Sequence, residues 1–529
     1  MPPAEPILLG HPSRPLFGWY HPPVVASSRA VVLCNPLGIE GTRAHWSYRH
    51  LAERLAAAGF DVLRFDWHGT GDSSGDGREP DQVATWLDDL GQAIEEVKRR
   101  AGVSRLHLVG LRVGATLAAH VAATRDDIQA TVLWMPALLG SAWVAEMAKL
   151  HKLYLRIVPQ TDAPETGGEE LLGSFLSDAT IADLGRIDLL GLTRPPSPRV
   201  LVVEEGTLRD GDRLRERLAS LGADVTWTRQ PGQKFLLMVP HRATLPEESL
   251  EAIVGWLRSQ PDVGASATPG PSTPRSSFPE RPVRFGADHQ LFGILTPAVK
   301  PPPRARPPIV LLPAGAVNRS GPHRLYVTMA RRWADLGFDV FRIDLSGIGD
   351  SPAVTGEREG LVYPRTGLND VSAALDFLAE ETGASRFLLV GLCSGADLAY
   401  QAARREERLA GIVMMNPRTF LDLDLNRVEQ PPPRPPRQSE TVEIEEALRV
   451  PAGLRQISER GVDALLVVSD RDPGIDYVDR HAAAAMRQAE ALPGFRRAEI
   501  RGTDHTFTTV RSQRRVIDLV TDEYLVRHR

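Results

Sequence analysis

The chain has 529 residues, more than one hydrophobic core usually serves, so we expect two domains of ordinary size. With 42% hydrophobic residues, 24% charged residues and a net charge of −5, the composition is that of a soluble globular protein and gives no sign of nucleic-acid binding. Two cysteines exclude a disulfide framework. With no signal-peptide pattern and no run of about eighteen apolar residues, we expect a cytoplasmic protein without a membrane span.

Two long stretches of the sequence recur in the same order. "AAAGFDVLRFDWHGTGDSSG" begins at Ala56 and "ADLGFDVFRIDLSGIGDSPA" at Ala334, while "SRLHLVGLRVGATLAA" begins at Ser104 and "SRFLLVGLCSGADLAY" at Ser385. The repeated unit is far longer than a solenoid repeat. We interpret it as a tandem duplication of a whole domain.

Proline, serine and glycine are concentrated between the two copies, in residues 259–282, which is typical of a solvated linker. The sequence therefore predicts one domain over residues 1–258 and a second over residues 283–529. We expect the two halves to pack against each other within the chain.

Short apolar runs alternate with helical patterns in each copy. In the second copy the predicted elements are, in chain order, strand Ile309–Leu312, helix Val327–Leu336, strand Val340–Ile343, helix Leu368–Glu380, and strands Phe387–Val390, Gly411–Met415, Ala464–Val468 and Ala498–Ile500. This alternation predicts an α/β fold in each copy, with a mostly parallel twisted sheet and helices on both faces. Catalytic groups of such sheets lie at the carboxyl ends of the strands.

An irregular segment interrupts each copy after its fifth strand, at residues 136–198 and at residues 418–460, the latter containing "EQPPPRPPRQSE". Composition alone favours a disordered surface loop. The functional interpretation is an inserted cap segment that bounds the substrate pocket. The pattern leaves both open.

The turn "GLCSG" joins a predicted strand to a helical pattern and holds two candidate nucleophiles, Cys393 and Ser394. Gly391 and Gly395 flank Cys393 at the spacing of a nucleophile elbow, where larger side chains would clash with backbone. Larger residues occupy the equivalent positions around Ser394. Cys393 is therefore the predicted nucleophile, with a small buried structural cysteine as the alternative. The backbone N–H of Ser394 is a candidate oxyanion donor at the start of the helix.

A general base should follow the nucleophile in the same copy. His505, in "GTDHTF", comes directly after a predicted strand and before the last helical pattern. His481 lies within a helical pattern and His528 in the C-terminal tail. The sequence therefore favours His505 as the base, with a solvated loop histidine as the alternative.

The acid that orients the imidazole should follow the preceding strand, where "SDRDPG" contains two aspartates. We favour Asp472, which lies deeper in the loop than Asp470. The alternatives are that Asp470, Asp422 or Asp424 takes this role, or that Asp472 only caps a turn before Pro473.

The order nucleophile, acid, histidine resembles the α/β-hydrolase superfamily. The resemblance covers both halves nearly end to end and rests on "GLCSG", "RIDLSGIGDS", "SDRDPG" and "GTDHTF". In detail the second copy resembles the serine-aminopeptidase-like branch, which includes hydrolases encoded beside polysaccharide or natural-product assembly genes. The resemblance implies a second oxyanion donor after the first central strand, the backbone N–H of Ala314 or Gly315. Cysteine instead of serine occurs in dienelactone-type hydrolases, some thioesterases and polyhydroxyalkanoate synthases, and leaves the reaction class open.

The first copy keeps both elbow glycines, Gly110 and Gly114, but has Arg112 between them. A guanidinium stays protonated and cannot act as a nucleophile. One interpretation makes Arg112 a fixed clamp for a substrate carboxylate or phosphate. The other makes it an arginine at the edge of the core that pairs with Glu204 or Glu205.

The other two catalytic positions of the first copy are also replaced. Alignment of the copies places Thr207 near the acid position, and Gln233 or Lys234 at the histidine position. Loss of all three roles predicts a catalytically inactive pseudo-hydrolase.

For the second copy we expect an esterase, thioesterase or acyltransferase. Cys393 attacks an ester or thioester, His505 takes its proton, and Asp472 orients the imidazole. The substrate would be a small acyl ester or thioester, including one carried by CoA or a carrier protein, and no metal or organic cofactor is implied. The alternatives are a non-catalytic scaffold, or a cyclase or lyase on the same fold.

Overall fold

In the computed structural model the chain forms two compact units, one mainly of residues up to 278 and the other mainly of residues from 279. The structure describes residues 2–25, 27–159, 165–206, 211–261, 279–300, 306–418, 450–472 and 483–528. Residues 262–278 of the predicted linker lie outside this description. The last two residues of that linker, Arg281 and Pro282, begin the first strand of the second unit.

The first unit contains ten strands among its described residues: β1 Glu5–His11, β2 Arg14–His21, β3 Ala30–Cys34, β4 Asp61–Phe65, β5 Leu106–Leu111, β6 Ile128–Trp134, β7 Gly168–Leu171, β8 Ser174–Ser177, β9 Arg199–Glu204 and β10 Asp224–Arg229. Its described α-helices are α1 Ile39–Ala57, α2 Gln82–Ala101, α3 Val113–Ala122, α4 Gly140–Ile157, α5 Asp178–Leu184, α6 Gly211–Ser220, α7 Gln233–Leu236 and α8 Glu247–Arg258. A 3₁₀ turn spans Pro240–Arg242.

The second unit contains, where described, β11 Arg281–Phe285, β12 Leu291–Thr296, β13 Ile309–Leu312, β14 Val340–Asp344, β15 Phe387–Leu392, β16 Leu409–Met415, β17 Asp463–Ser469 and β18 Phe495–Ile500. Its described α-helices are α9 Leu325–Asp335, α10 Gly367–Thr382, α11 Ser394–Ala403, α12 Val450–Glu459, α13 Ala483–Glu490 and α14 Val510–Leu519. Shorter helical turns are Ala287–His289, Pro322–Arg324, Val520–Tyr524 and Leu525–His528.

Each unit has an eight-stranded sheet with the same topology. The strand order is β1-β2-β4-β3-β5-β6-β9-β10 in the first unit and β11-β12-β14-β13-β15-β16-β17-β18 in the second. The pairs that involve the first two strands of each order are antiparallel, and the remaining pairs are parallel. The carboxyl ends of the parallel strands therefore meet at one edge, where the loops that follow them gather.

Both faces of the second sheet are covered by apolar packing. Val310 and Leu312 of β13 pack in one hydrophobic cluster, and Ile309 and Leu311 pack in the other, as the alternation of side chains along a strand requires. Both faces of a mostly parallel sheet are buried in this way when helices cover them. The fold class predicted from the sequence is confirmed.

The six strands and two helices predicted for the second copy are all present, with ends that differ by up to three residues. The antiparallel strands β11 and β12 were not predicted. They precede the alternating pattern, and a short edge strand carries little periodic signal of its own.

The irregular segment of the first copy is folded where it is described: it contains α4, the antiparallel hairpin β7–β8, and α5. The interpretation as a disordered loop is therefore wrong for this segment. In the second copy residues 419–449 lie outside the described residues. The end of that segment forms α12, whose Leu454 and Ile457 are buried in the hydrophobic core, so this part belongs to the domain body.

Candidate active site

Cys393 lies at the turn between β15 and α11, with φ 58° and ψ −123°. A Cβ on Gly391 would lie 2.1 Å from the carbonyl oxygen of Gly395, and a Cβ on Gly395 would lie 2.6 Å from that of Leu312. Backbone atoms cannot yield to a side chain at such distances. The two glycines therefore meet a steric requirement of the elbow.

The structure brings Cys393, His505 and Asp472 together at the carboxyl edge of the sheet. Asp472 follows β17 and His505 follows β18. Nδ1 of His505 hydrogen-bonds Oδ2 of Asp472, whose side chain is 1% exposed. Cys393 lies close enough to the imidazole to raise the pKa of His505. The three groups form a continuous chain from a buried carboxylate to the sulfur.

Asp470, the other aspartate of the same loop, has a different task. Its Oδ1 accepts the backbone N–H of Gly502 at 2.9 Å and that of Thr503 at 3.4 Å. Asp470 therefore ties the loop after β17 to the loop after β18. The further alternatives, Asp422 and Asp424, lie outside the described residues.

The other two candidate histidines do not join this chain. His481 lies outside the described residues. Nε2 of His528 lies 3.4 Å from Oδ2 of Asp463, in β17. His505 is thus the histidine that the described part of the second unit places at the elbow.

The environment of His505 favours its charged form. Burial of the ring would lower the pKa of His505, but the hydrogen bond to Asp472 and the interaction with Cys393 raise it to about 10. A protonated imidazole between a carboxylate and a sulfur is the arrangement that supports a thiolate nucleophile.

We expect the contribution of His505 to the stability of the second unit to decrease as the pH rises toward about 10. Since the folded-state pKa lies above that of free histidine, the stabilisation is fully present below about pH 6.5 and is lost as the pH passes through about 10. Thermal unfolding of wild type and His505→Gln across this range measures the difference. A difference that stays constant with pH would contradict this assignment of the charge.

The three predicted oxyanion donors lie beside the elbow. The N–H of Gly315 donates to Oγ of Ser394 at 2.9 Å, so the serine hydroxyl already occupies this donor. Ser394 is the first residue of α11, and the N–H groups of a first helical turn have no acceptor within the helix. The backbone N–H groups of Ser394 and Ala314 are therefore the candidates that remain for an oxyanion.

The loop that carries Ala314 and Gly315 is held by an arginine that the sequence analysis did not single out. Nη1 of the buried Arg319 donates to Oδ2 of Asp344 and to Oδ2 of Asp350, both at 2.7 Å. Its backbone N–H donates to Oδ1 of Asp344 at 2.7 Å. The aspartates belong to "RIDLSGIGDS", so this motif builds the loop. The sequence contained no spacing signal for Arg319.

Tyr326 is a second residue that the sequence analysis missed. Its hydroxyl donates to the carbonyl of Leu312 at 2.8 Å and accepts the N–H of Leu392 at 3.1 Å. It thus ties the strand end before the oxyanion loop to the strand end before Cys393. Tyr48 holds the same place in the first unit, where its hydroxyl donates to the carbonyl of Cys34 at 2.9 Å. Recurrence of this tyrosine in both copies was the available signal.

The profile that describes the serine aminopeptidases, S33, matches residues 29–184 and 309–439, which together make up more than half of the chain. The chain belongs to the serine aminopeptidase S33 family. One matched segment falls mainly in each unit, which is consistent with the tandem duplication. The family and the fold are those of α/β-hydrolases of the hydrolase and esterase type, and the predicted resemblance is confirmed.

Many solved structures match this chain. A putative hydrolase from Agrobacterium vitis S4 is 18% identical, with 48% of this chain and 98% of that chain covered and a TM-score of 0.34. Est1E from Butyrivibrio proteoclasticus, solved with ferulic acid, is 15% identical, with 48% and 98% covered and a TM-score of 0.36. The proline iminopeptidase of Mycobacterium smegmatis is 15% identical, with 48% and 97% covered and a TM-score of 0.34. No curated protein matches the chain in sequence.

In the first unit of this S33 family member, Arg112 occupies the elbow with φ 54° and ψ −128°, nearly the angles of Cys393. Nε of Arg112 donates to Oε1 of Glu40 at 2.8 Å, and Nη2 hydrogen-bonds Oε2 of Glu146. Two carboxylates neutralise the guanidinium, so the interpretation of Arg112 as an anion clamp loses its physical basis. Oε2 of Glu40 accepts Nε1–H of Trp143 at 2.8 Å, so Trp143 and Glu146 join α4 to the elbow.

The expected pairing of Arg112 with Glu204 or Glu205 is wrong. Glu204 instead accepts Nε–H of Arg229 at 2.8 Å. At the histidine position, the buried Gln233 accepts Nε1–H of Trp134 at 3.0 Å and donates to the carbonyl of Gln230 at 3.0 Å. Thr207 lies outside the described residues.

A small pocket lies beside Ser394 in the second unit. Its wall includes apolar Leu345 and Leu398 and polar Tyr363 and Asp397. The hydroxyl of Tyr363 donates to Oδ2 of Asp397 at 2.8 Å. The lining therefore combines an apolar surface with one polar end.

The described part of the chain offers neither a metal centre nor a membrane-spanning helix. No group of three or more histidine, cysteine, aspartate and glutamate side chains is placed to hold a metal ion. Within the same residues, no helix has the length and hydropathy needed to cross a membrane.

Proposed function

We propose that the second unit is a cysteine-dependent acyl hydrolase or acyltransferase that acts on an ester or thioester. The observation that carries this proposal is the hydrogen bond between the buried Asp472 and His505, whose imidazole lies close to Cys393 at a nucleophile elbow. The proposed roles are nucleophile for Cys393, proton carrier for His505 and orienting acid for Asp472.

The reaction begins when the proton of Cys393 moves to His505. The sulfur then forms a bond to the substrate carbonyl carbon, and the π electrons of the carbonyl move to its oxygen. The backbone N–H groups of Ser394 and Ala314 donate to this oxyanion. Collapse of the tetrahedral intermediate breaks the bond to the leaving group, which takes the proton from His505. His505 next removes a proton from water or another acceptor, which attacks the acyl-cysteine and releases Cys393.

Sulfur at the elbow favours some substrates over others. A thiolate exchanges with thioesters at little energetic cost, whereas an amine leaves a tetrahedral intermediate less readily than the sulfur does. Thioesters and activated esters, carried by CoA or by a carrier protein, are therefore proposed over peptides. The small pocket beside Ser394 would contact only part of the acyl group, with its apolar wall against apolar atoms and its Tyr363–Asp397 pair against a polar substituent.

The acyl-cysteine is itself a thioester and keeps a high transfer potential. An alcohol, an amine or an internal nucleophile therefore competes with water in a site that excludes solvent. We propose acyl transfer or cyclisation on equal terms with hydrolysis, and a catalytically silent role for the first unit.

The experiment supplies an acyl thioester with and without alcohol or amine acceptors to wild type and Cys393→Ser. Wild type should yield a higher ratio of transferred product to free acid than the serine variant, because only its intermediate is a thioester. Product ratios are read by mass spectrometry. Equal ratios in both proteins, or efficient cleavage of a simple peptide amide by wild type, would contradict the role given to sulfur.

A further inference from the structure

Asn416 lies directly after β16. Its neighbours are the end of β17, which precedes Asp472, and the loop after β18, which contains His505. Asn416 is completely buried, and its φ of 42° lies in the left-handed region, which asparagine tolerates better than most residues. No motif used in the sequence analysis includes it.

The amide of Asn416 connects two elements at once. Its Oδ1 accepts the backbone N–H of Ser469 at 2.7 Å, and its Nδ2 donates to Oγ of Ser469 at 2.7 Å. The same Nδ2 donates to the backbone carbonyl of His505 at 2.8 Å. Oγ of Ser469 in turn donates to the carbonyl of Asp504 at 2.9 Å. One buried amide thus fixes the end of β17 against the backbone of the histidine loop.

These hydrogen bonds fix the backbone that carries two of the three proposed catalytic residues, Asp472 and His505. The carbonyl of Ser469 accepts the N–H of Asp472 at 3.1 Å, so the position of the acid depends on the strand end that Asn416 holds. The carbonyl of His505 is held directly. The spacing between Asp472 and His505 therefore depends on Asn416, which acts through the backbone.

The equivalent turn of the first unit shows whether the backbone conformation itself requires asparagine. Met135 has the same place and nearly the same φ, 43°. Its N–H donates to the carbonyl of Val203 at 2.8 Å, as that of Asn416 donates to Val467 at 2.9 Å. The turn therefore forms with methionine, whose side chain cannot donate the hydrogen bonds that the amide makes.

We propose that Asn416 is a positioning residue for the acyl transfer: it sets the geometry between Asp472 and His505 by clamping the strand end and the histidine loop. The inference rests on the proposed function for its kinetic consequence. The hydrogen bonds of Asn416 to Ser469 and to the carbonyl of His505 do not depend on that function.

The test compares wild type with Asn416→Met and Asn416→Asp, using p-nitrophenyl acetate. A small misplacement of a catalytic group costs up to about 100-fold in rate, so we expect kcat to fall by about 10- to 100-fold with KM little changed. Asn416→Asp also supplies a rescue. Its carboxylate repels the carbonyl of His505, whereas the protonated form regains one O–H donor, so its activity relative to wild type should rise as the pH falls. The relative activity of Asn416→Met should not change in this way.

Met135→Leu is the matched control at the equivalent turn and should leave kcat unchanged. Thermal unfolding is measured for every variant. If Asn416→Asp does not fold, Asn416→Met still decides the kinetic question, since methionine is compatible with this turn in the first unit. An unchanged kcat in folded Asn416→Met would overturn the proposal.

Failure of the clamp and failure of the proposed function give different results. Alkylation of Cys393 by iodoacetamide, followed by peptide mass mapping, requires no acyl substrate. If wild type is not acylated by any ester but Asn416→Met still slows alkylation near neutral pH, the proposed function fails and the positioning role stands. If alkylation and acylation are both unaffected by Asn416→Met, the positioning role is wrong.

Discussion

Replacing Cys393 or His505 by alanine should abolish covalent acylation of the protein, with a loss of at least about a thousandfold in acylation rate. Without the sulfur there is no atom at the elbow that can hold the acyl group. Without the imidazole the thiol proton has no acceptor, since Asp472 reaches the sulfur only through His505. Intact mass after exposure to acyl thioesters and activated esters measures the acyl adduct directly.

The fold offers matched controls for this result. Cys34 is the last residue of β3, the equivalent of β13 in the first unit. It is completely buried, and burial raises the pKa of its thiol, so Cys34→Ala should retain full acylation. Ser394→Ala removes the hydroxyl that pairs with the N–H of Gly315, and this variant should still be acylated. Acylation that persists in Cys393→Ala and disappears in Ser394→Ala would show that the wrong residue was assigned to the elbow.

The sequence was informative where structure depends on local spacing. Strands such as β13 and β17 could be predicted because short apolar runs bounded by turn residues are typical of buried strands. The elbow could be predicted because glycine is required at both flanking positions. A side chain on Gly391 would clash with the backbone of Gly395, and a side chain on Gly395 would clash with the backbone at the end of β13. Chain order then limited the acid and the histidine to two short loops.

The partners of Arg112 could not be predicted in the same way. Glu204 ends β9, but β6 lies between β9 and β5, and neighbouring strands are about 4.8 Å apart. Glu40 begins α1, which follows β3, the neighbour of β5 on the other side. Glu146 comes from an inserted helix without a readable motif. Sheet order, rather than distance along the chain, decides which carboxylate can reach the guanidinium.

The oxyanion donors show a second limit. The resemblance named Gly315 as a candidate donor, yet the sequence could not show that its N–H is paired with the hydroxyl of Ser394. A hydrogen bond between a side chain and a distant backbone group has no periodicity. The amide of Asn416, which bonds a residue 89 positions away, is of the same kind.

Replacing Arg112 by alanine should destabilise the first unit by about 3 kcal/mol and leave the chemistry of Cys393 unchanged. The side chain of Glu40 is 6% exposed, and removal of its ion-pair partner leaves a buried carboxylate with Trp143 as a hydrogen-bond donor and Arg43 as a nearby cation. Breaking a buried ion pair from one side costs about 3–5 kcal/mol because the remaining charge is uncompensated. Glu146 is half exposed, so its pair with Arg112 should add less than about 1 kcal/mol.

The cause can be isolated with neighbouring variants. Glu146→Gln should be nearly neutral, whereas Arg112→Ala combined with Glu40→Gln should recover part of the lost stability, because no buried charge is then left unpaired. Calorimetry is the suitable measurement, since two units can unfold in separate transitions. Labelling of Cys393 by a small activated ester should be the same in all of these variants. Acylation of the first unit in a Cys393→Ala background, or an Arg112→Ala protein as stable as wild type, would contradict the assignment of this elbow to a structural ion pair.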